Sequence, residues 1–203
     1  VRGFVVPTDT PGFSAPVIHK KVSLRASITS ELVLQEVHLP AGAVLPNVTG
    51  MRGPLSCLNE ARFGILFGAC GAARACYESA LSYSLERVQF GKPIASFQLT
   101  QKKLTEMAIA VHTGTLLSMH LGRMKDAGTL ATPQVSIGKL NNVAMALRVA
   151  REARAILGAN GITLEYPVVR HMVNLESVYT YEGTNEIHTL IVGNALTGIP
   201  AFG

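Results

Sequence analysis

The chain has 203 residues, of which 48% are apolar, 15% charged and 6% aromatic, with a net charge of +5 at neutral pH. That length suits one ordinary domain, or one domain and part of another, and the apolar fraction is ample for a core, which excludes a disordered chain. Lys20-Lys21 and Lys102-Lys103 are the only basic doublets and Trp is absent, so no nucleic-acid surface is indicated; the excess charge reads as solvated surface or as contacts to phosphates of a small molecule.

Residues 1–48 are rich in β-branched side chains and punctuated by Pro and Gly. Their spacing predicts strands over 3–6, 17–22 and 28–39. Three strands do not readily close a stable sheet, and the strand pattern is already under way at Val1. This stretch is therefore expected to be the latter part of a β domain that begins upstream.

From residue 51 the pattern becomes helical. A helix is predicted over 58–88, with Ala61, Ile65, Ala69, Ala72, Cys76 and Ala80 along one face. A second is predicted over 97–126, with Leu104, Met107, Val111 and Leu121 inward. A third takes Pro133 in its first turn and runs to 157, with Leu140, Ala144 and Leu147 on one face. Gly158 and Gly161 stop it. The connections at Gly91-Lys92-Pro93 and Gly128-Thr129 are short, so neighbouring helices should pack antiparallel as a bundle. Two shorter helices are predicted over 167–178 and 185–197, separated by Tyr181-Glu182-Gly183-Thr184. The expected class is mainly α: an antiparallel helical bundle preceded by part of a β domain.

Several chemistries are missing from the sequence. Cys57, Cys70 and Cys76 form neither a disulfide framework nor a C-x-x-C metal pattern, and their apolar helical setting predicts buried thiols in a reducing compartment. None of the 19 glycines stands in G-x-G spacing, which excludes a Rossmann fingerprint in these residues. There is no P-loop, no G-x-S-x-G elbow and no H-E-x-x-H pair. The longest uncharged runs, 107–122 and 187–203, carry His, Thr and Asn and are too polar for a membrane span.

Two constellations remain. Tyr181-Glu182-Gly183-Thr184-Asn185-Glu186 places a carboxylate at a helix break, beside a Gly that admits close approach and ahead of N–H groups at a new helix start. Its flanks, Val178, Tyr179 and Tyr181, are largely apolar, so Glu182 is a candidate base; it also reads simply as an acidic residue near a helix N-terminus. Arg87-Val88-Gln89-Phe90-Gly91-Lys92-Pro93, with Gln98 behind it, offers either a phosphate contact or a helix C-terminal Arg that complements the macrodipole.

Taken with Leu58-Asn59-Glu60-Ala61-Arg62 and Ile156-Leu157-Gly158-Ala159-Asn160-Gly161, and in this order along nearly the whole chain, these segments resemble the C-terminal half of the acyl-CoA dehydrogenase family. Ser23-Leu24-Arg25-Ala26-Ser27, Glu165-Tyr166-Pro167, Arg170-His171 and the ending Leu196-Thr197-Gly198-Ile199-Pro200-Ala201-Phe202 are most similar to its glutaryl-CoA branch. The resemblance implies that 1–48 end the family's middle β domain and 49–203 form its C-terminal four-helix-bundle domain. It also implies FAD as cofactor, a homotetramer, electron-transfer flavoprotein as redox partner, and a place in lysine and tryptophan catabolism. The location would be cytoplasmic in a bacterium and the mitochondrial matrix in a eukaryote.

Carried over residue by residue, the resemblance makes Glu182 the catalytic base. It would remove the α-proton of an acyl-CoA thioester while the β-hydrogen leaves as hydride to the flavin. The thioester oxygen would be polarised by the Glu182 N–H and a flavin hydroxyl. For glutaryl-CoA, loss of CO2 and reprotonation would then give crotonyl-CoA. Leu58, Asn59, Arg62 and Gly183 resemble substrate contacts, and Thr184, Asn185 and Glu186 flavin contacts. Arg87 and Gln98, with Ala155, Ile156, Leu157, Gly158 and Ala159, resemble contacts to a neighbouring subunit's FAD, and Phe90 and Phe202 would pack on the cofactor. Two positions depart from the family. Ala159 replaces the second Gly of a Gly-Gly, which is tolerable if no positive φ is needed there, and Ala155 replaces a Gln. Other expectations that stay open are a different short- or branched-chain acyl-CoA dehydrogenase, an acyl-CoA oxidase, and a non-catalytic helical module of the same fold. The 203 residues alone are expected to be inactive.

Overall fold

The computed structural model of the chain describes residues 1–201. Phe202, one of the expected cofactor contacts, lies outside the described residues. The chain divides into two compact units, Val1–Glu60 and the residues from Ala61 onward.

In the first unit, β1 (Arg2–Phe4) pairs antiparallel with β4 (Val44–Thr49), with a register irregularity between Arg2 and Phe4. A second antiparallel pair joins β2 (Phe13–Ser14) to β3 (Val33–Leu34). The long strands predicted over 17–22 and 28–39 are not formed. They shrink to an isolated bridge between Val17 and Ser30 and to the two residues of β3. The cause is local. Lys21 Nζ donates to the carbonyls of Leu24 at 3.1 Å and Ser27 at 2.6 Å and to Thr29 Oγ1 at 2.8 Å, which folds 21–29 into a loop. Leu24 and Glu36 both take positive φ, which no continuous strand accommodates. The residue pattern predicts no strand at β4; Pro46 within it argues against one, and an edge position in a two-stranded pair tolerates it.

The second unit is built from long helices. α1 (Arg52–Glu86) begins in the first unit; α2 (Gln98–Asp126) and α3 (Thr132–Leu157) follow. Between α1 and α2 stands the hairpin of β5 (Val88–Gln89) and β6 (Lys92–Pro93), turned by Phe90 and Gly91, both at positive φ. α4 (Val168–Thr180) and α5 (Asn185–Thr197) complete it.

Helix α3 is the centre. It touches α2, α4 and α5 and is buried on more than one side, which is why no single apolar face describes it. Val143, Ala146, Val149, Ala150, Ala153 and Leu157 are all nearly inaccessible, while Ala144, predicted inward, is exposed and Leu140 is half-buried. From α1 the core takes Leu66, Ala69, Ala73, Cys76 and Ala80, with Ala61 left exposed; from α2 it takes Leu104, Met107, Val111 and Leu121, as the spacing predicts. Small residues let the helices approach closely: a Cβ at Gly138 would stand 2.4 Å from a Leu66 methyl and 2.7 Å from a Leu121 methyl. Asn142, fully buried, donates to the carbonyls of Leu66 and Gly114 and to Ser118 Oγ, tying α1, α2 and α3 together by one amide. Cys70 and Cys76 are buried as predicted, and burial pushes the Cys76 thiol up to about 12. Cys57 is exposed, because its side of α1 is not part of the core.

Candidate functional site

Helix α4 ends at Thr180, and α5 starts with Thr184 as its N-cap, whose Oγ1 accepts from the Ile187 N–H at 3.3 Å. The three residues between, 181–183, form a sharp break. Glu182 takes φ +59 and Gly183 φ +90. A non-glycine residue in the left-handed region is uncommon and points to a constraint imposed by its surroundings.

Those surroundings are buried and basic. Arg62 on α1, Lys139 on α3 and His188 on α5 are 6%, 2% and 1% exposed. Each grips backbone. Arg62 Nε donates to the Glu182 carbonyl at 2.6 Å, and His188 Nε2 meets the same oxygen at 3.2 Å. Lys139 Nζ donates to the Tyr181 carbonyl and, at 2.5 Å, to the Gly183 carbonyl. His188 Nδ1 is 2.9 Å from Ser136 Oγ. With Nε2 as donor to Glu182, Nδ1 accepts from the hydroxyl, so the ring is neutral. Three successive carbonyls are thus drawn toward the bundle. The Glu182 N–H has no backbone acceptor among the described residues. The carboxylate atom Oε2 of Glu182 is buried and receives no hydrogen bond from any of them.

The titration behaviour follows from that crowding. Burial, then the Arg62 charge, push the Lys139 ammonium down to about 8, against the pull of Glu182. Burial and the Lys139 charge hold His188 down to about 4. An unfolded chain protonates that imidazole near 6.5. The stability carried by the neutral ring is therefore complete above pH 6.5 and is lost as pH falls toward 4, an effect on the order of 3 kcal/mol. Denaturant unfolding at pH 7 and pH 4.5 should show a smaller acid loss for His188→Gln than for the parent; parallel losses would contradict this.

A second assembly lies away from this loop. An open groove of about 900 Å³ is lined by Phe90, Gln98, Ala155 and Ile156, and also by Lys92 and Lys103. Its volume is that of a small-molecule site. It gathers candidate cofactor residues that are up to 66 positions apart in sequence (156 − 90). Phe90 is 91% exposed at the hairpin tip and packs edge-on against Phe97, over whose ring Lys92 Nζ stands at 4.4 Å. Arg87 is exposed just before β5 but does not line the groove. Gly158 takes φ +60 and Ala159 does not share a positive φ, so the extra methyl is accommodated. Leu157 buries its side chain in the core and has only backbone to offer.

The remaining candidates are placed as follows. Leu58 and Asn59 are half-buried on α1 within the first unit. Thr184 and Asn185 are half-buried at the start of α5, and Glu186 is exposed in its first turn, its own N–H and the Thr184 hydroxyl holding its carboxyl below the usual range. Lys139, His188 and Ser136 are not singled out by sequence reasoning. No helix among the described residues is long and apolar enough to cross a membrane.

Comparison with known proteins fits this architecture. A family model for the acyl-CoA dehydrogenase C-terminal domain matches residues 49–197. Glutaryl-CoA dehydrogenase from Mycobacterium smegmatis is 64% identical, with a TM-score of 0.97, over 100% of this chain and 52% of that one. A structure of a glutaryl-CoA dehydrogenase from the same organism in complex with FADH2 is 59% identical, with the same TM-score and coverage. Among curated proteins, the short-chain specific acyl-CoA dehydrogenase of Megasphaera elsdenii is 35% identical over 97% of this chain and 51% of its own length. The chain thus spans about half the length of the curated relatives it matches. A family model that runs from the last residue of β4 to the end of α5 leaves one assignment for the fold: this chain belongs to the acyl-CoA dehydrogenase family.

Proposed function

We infer that the full-length protein is an FAD-dependent acyl-CoA dehydrogenase that oxidises and decarboxylates glutaryl-CoA to crotonyl-CoA and CO2, and passes the electrons to electron-transfer flavoprotein. The observation that carries this is the Glu182 loop. One buried carboxylate oxygen lacks a donor among the described residues, and three carbonyls are tied back into the bundle. Glu182 thereby offers a base and an N–H donor from one residue. Its carboxylate takes the α-proton. Its N–H polarises the thioester oxygen, without which a carboxylate is far too weak to remove an α-proton. When bound, FAD supplies the acceptor for the hydride that leaves the β-carbon. The oxidised acyl chain still carries its distal carboxylate, which departs as CO2, and Glu182 returns the proton to the carbanion. Turnover is assigned to the full-length protein and not to these 203 residues by themselves.

The groove that unites Phe90, Gln98, Ala155 and Ile156 suits the adenosine end of FAD, with Arg87 close by in the chain for the diphosphate. Thr184, Asn185 and Glu186 would meet the cofactor from the start of α5. An Arg87→Ala variant should purify with less bound flavin, read as the ratio of flavin to protein absorbance; an unchanged ratio would leave Arg87 as a helix-end charge. We also assign the assembly to a homotetramer. In its support, Ile109, Leu116 and Met119 form an apolar stripe on α2 and are 60%, 65% and 47% exposed.

Support for glutaryl-CoA over other acyl chains comes from the 64% identity to a glutaryl-CoA dehydrogenase, against 35% to a short-chain enzyme. The competing reading is a short-chain acyl-CoA dehydrogenase. Anaerobic addition of glutaryl-CoA and of butyryl-CoA to the full-length protein separates the two. Bleaching of flavin absorbance by glutaryl-CoA at the lower concentration is expected; bleaching by butyryl-CoA alone would favour the competitor.

A further inference from the structure

We propose that Lys139 is a positioning residue that, with Arg62 and His188, sets the backbone direction of Glu182, and that its ammonium must be charged for full turnover. This rests on the assignment of Glu182 as base. The geometry is specific. One Nζ donates to the carbonyls of Tyr181 and Gly183, the residues on either side of Glu182. Holding carbonyls i and i+2 on one donor restricts how the intervening residue can turn, and Glu182 sits at φ +59. A left-handed φ at a non-glycine residue persists only where its surroundings hold it. Lys139 comes from the first third of α3, the most deeply packed helix, so its donor position is fixed by the core and not by the loop.

A lysine that merely filled space at this position would be a poor choice. Burying an ammonium is costly unless it is hydrogen-bonded, and an apolar side chain of similar length would fill the volume without that cost. What the ammonium adds is a grip on two carbonyls, strongest when charged. The charged groups facing it are Arg62 from α1 and Glu182 from the loop; Tyr181 in the loop and His188 on α5 also titrate, and Ser136 lies beside His188 on the same helix as Lys139. Arg62 and Lys139 repel one another. With its proton held only to about pH 8, Lys139 is charged at neutral pH and neutral in mild alkali. Turnover should therefore fall as pH rises through about 8. Arg62 cannot produce that limb, because a guanidinium does not titrate there.

The test uses the full-length protein with Lys139→Met and Lys139→Arg. Loss of about 1 Å of alignment at the base costs on the order of 100-fold in rate. Lys139→Met should lose kcat on that scale, with KM for acyl-CoA changed less than about threefold and flavin content retained. Lys139→Arg should recover most of kcat, and its alkaline limb should move up by more than one pH unit, since the replacement does not titrate. The proposal is overturned if Lys139→Met keeps kcat within about threefold, if kcat, KM and flavin are lost together, or if the limb of Lys139→Arg stays in place. Should Lys139→Met fail to fold, the Lys139→Arg profile decides alone. A Glu182→Gln control that is inactive beside normal Lys139 variants removes only this proposal; a Glu182→Gln control that turns over removes the base assignment as well.

Discussion

Replacing Glu182 by Gln in the full-length protein should lower dehydrogenation by about 10⁴-fold, the upper range for loss of a positioned general base. Flavin absorbance should persist. The amide has the size of the carboxyl group and keeps the backbone N–H, so loop shape and thioester contact survive while proton abstraction does not. The structure isolates this effect. The 182 carbonyl is already satisfied by Arg62 and His188, and the carboxylate atom Oε2 has no partner among the described residues that a substitution would orphan. Stability should fall modestly, because the Glu182 charge favours the buried Lys139 ammonium. Retained turnover would remove Glu182 from its assigned role and with it the reading of the whole loop.

The second large effect is expected at Gly183. At φ +90 a side chain is strained, and a Cβ would stand 3.0 Å from His188 Nε2 and 3.1 Å from a terminal Arg62 nitrogen. Those two groups hold the Glu182 carbonyl. Gly183→Ala should therefore cost about 2 kcal/mol of stability from the left-handed backbone. It should also cost kcat on the order of 100-fold, because displacing Arg62 or His188 lets Glu182 turn. Thermal unfolding and steady-state kinetics read the two losses separately. A variant with parental kcat would show that the Glu182 backbone tolerates movement, and that Arg62 and His188 do not fix the direction of the base.

The parts of this site that repeat along a helix or break one are visible in sequence. The three long helices follow from apolar spacing, and α5 starts after Thr184 because a hydroxyl caps it and Glu186 follows in its first turn. The 181–184 break is legible from Gly183 and the polar run after it. Lys139 is not legible. In Ser136-Ile137-Gly138-Lys139-Leu140 it looks like one more helix-surface cation, and its partners lie 42 and 44 residues away. His188 is hidden for the same reason: its partner Ser136 is 52 residues distant. A buried charge is stabilised by tertiary partners, and spacing along the chain carries no record of them. The groove is intermediate, since Phe90, Gln98 and Ile156 can be named individually but only the fold brings the hairpin and the end of α3 to one groove. In the first unit composition points to strands, while their pairing and the Lys21 loop clamp depend on contacts that composition does not specify.

The most direct measurement is the product balance of the full-length protein supplied with glutaryl-CoA and an electron acceptor, with Glu182→Gln alongside. One CO2 and one crotonyl-CoA per acceptor reduced by two electrons, and neither from Glu182→Gln, is the predicted result. Acceptor reduction without CO2, or no reduction with glutaryl-CoA while butyryl-CoA is oxidised, would contradict it.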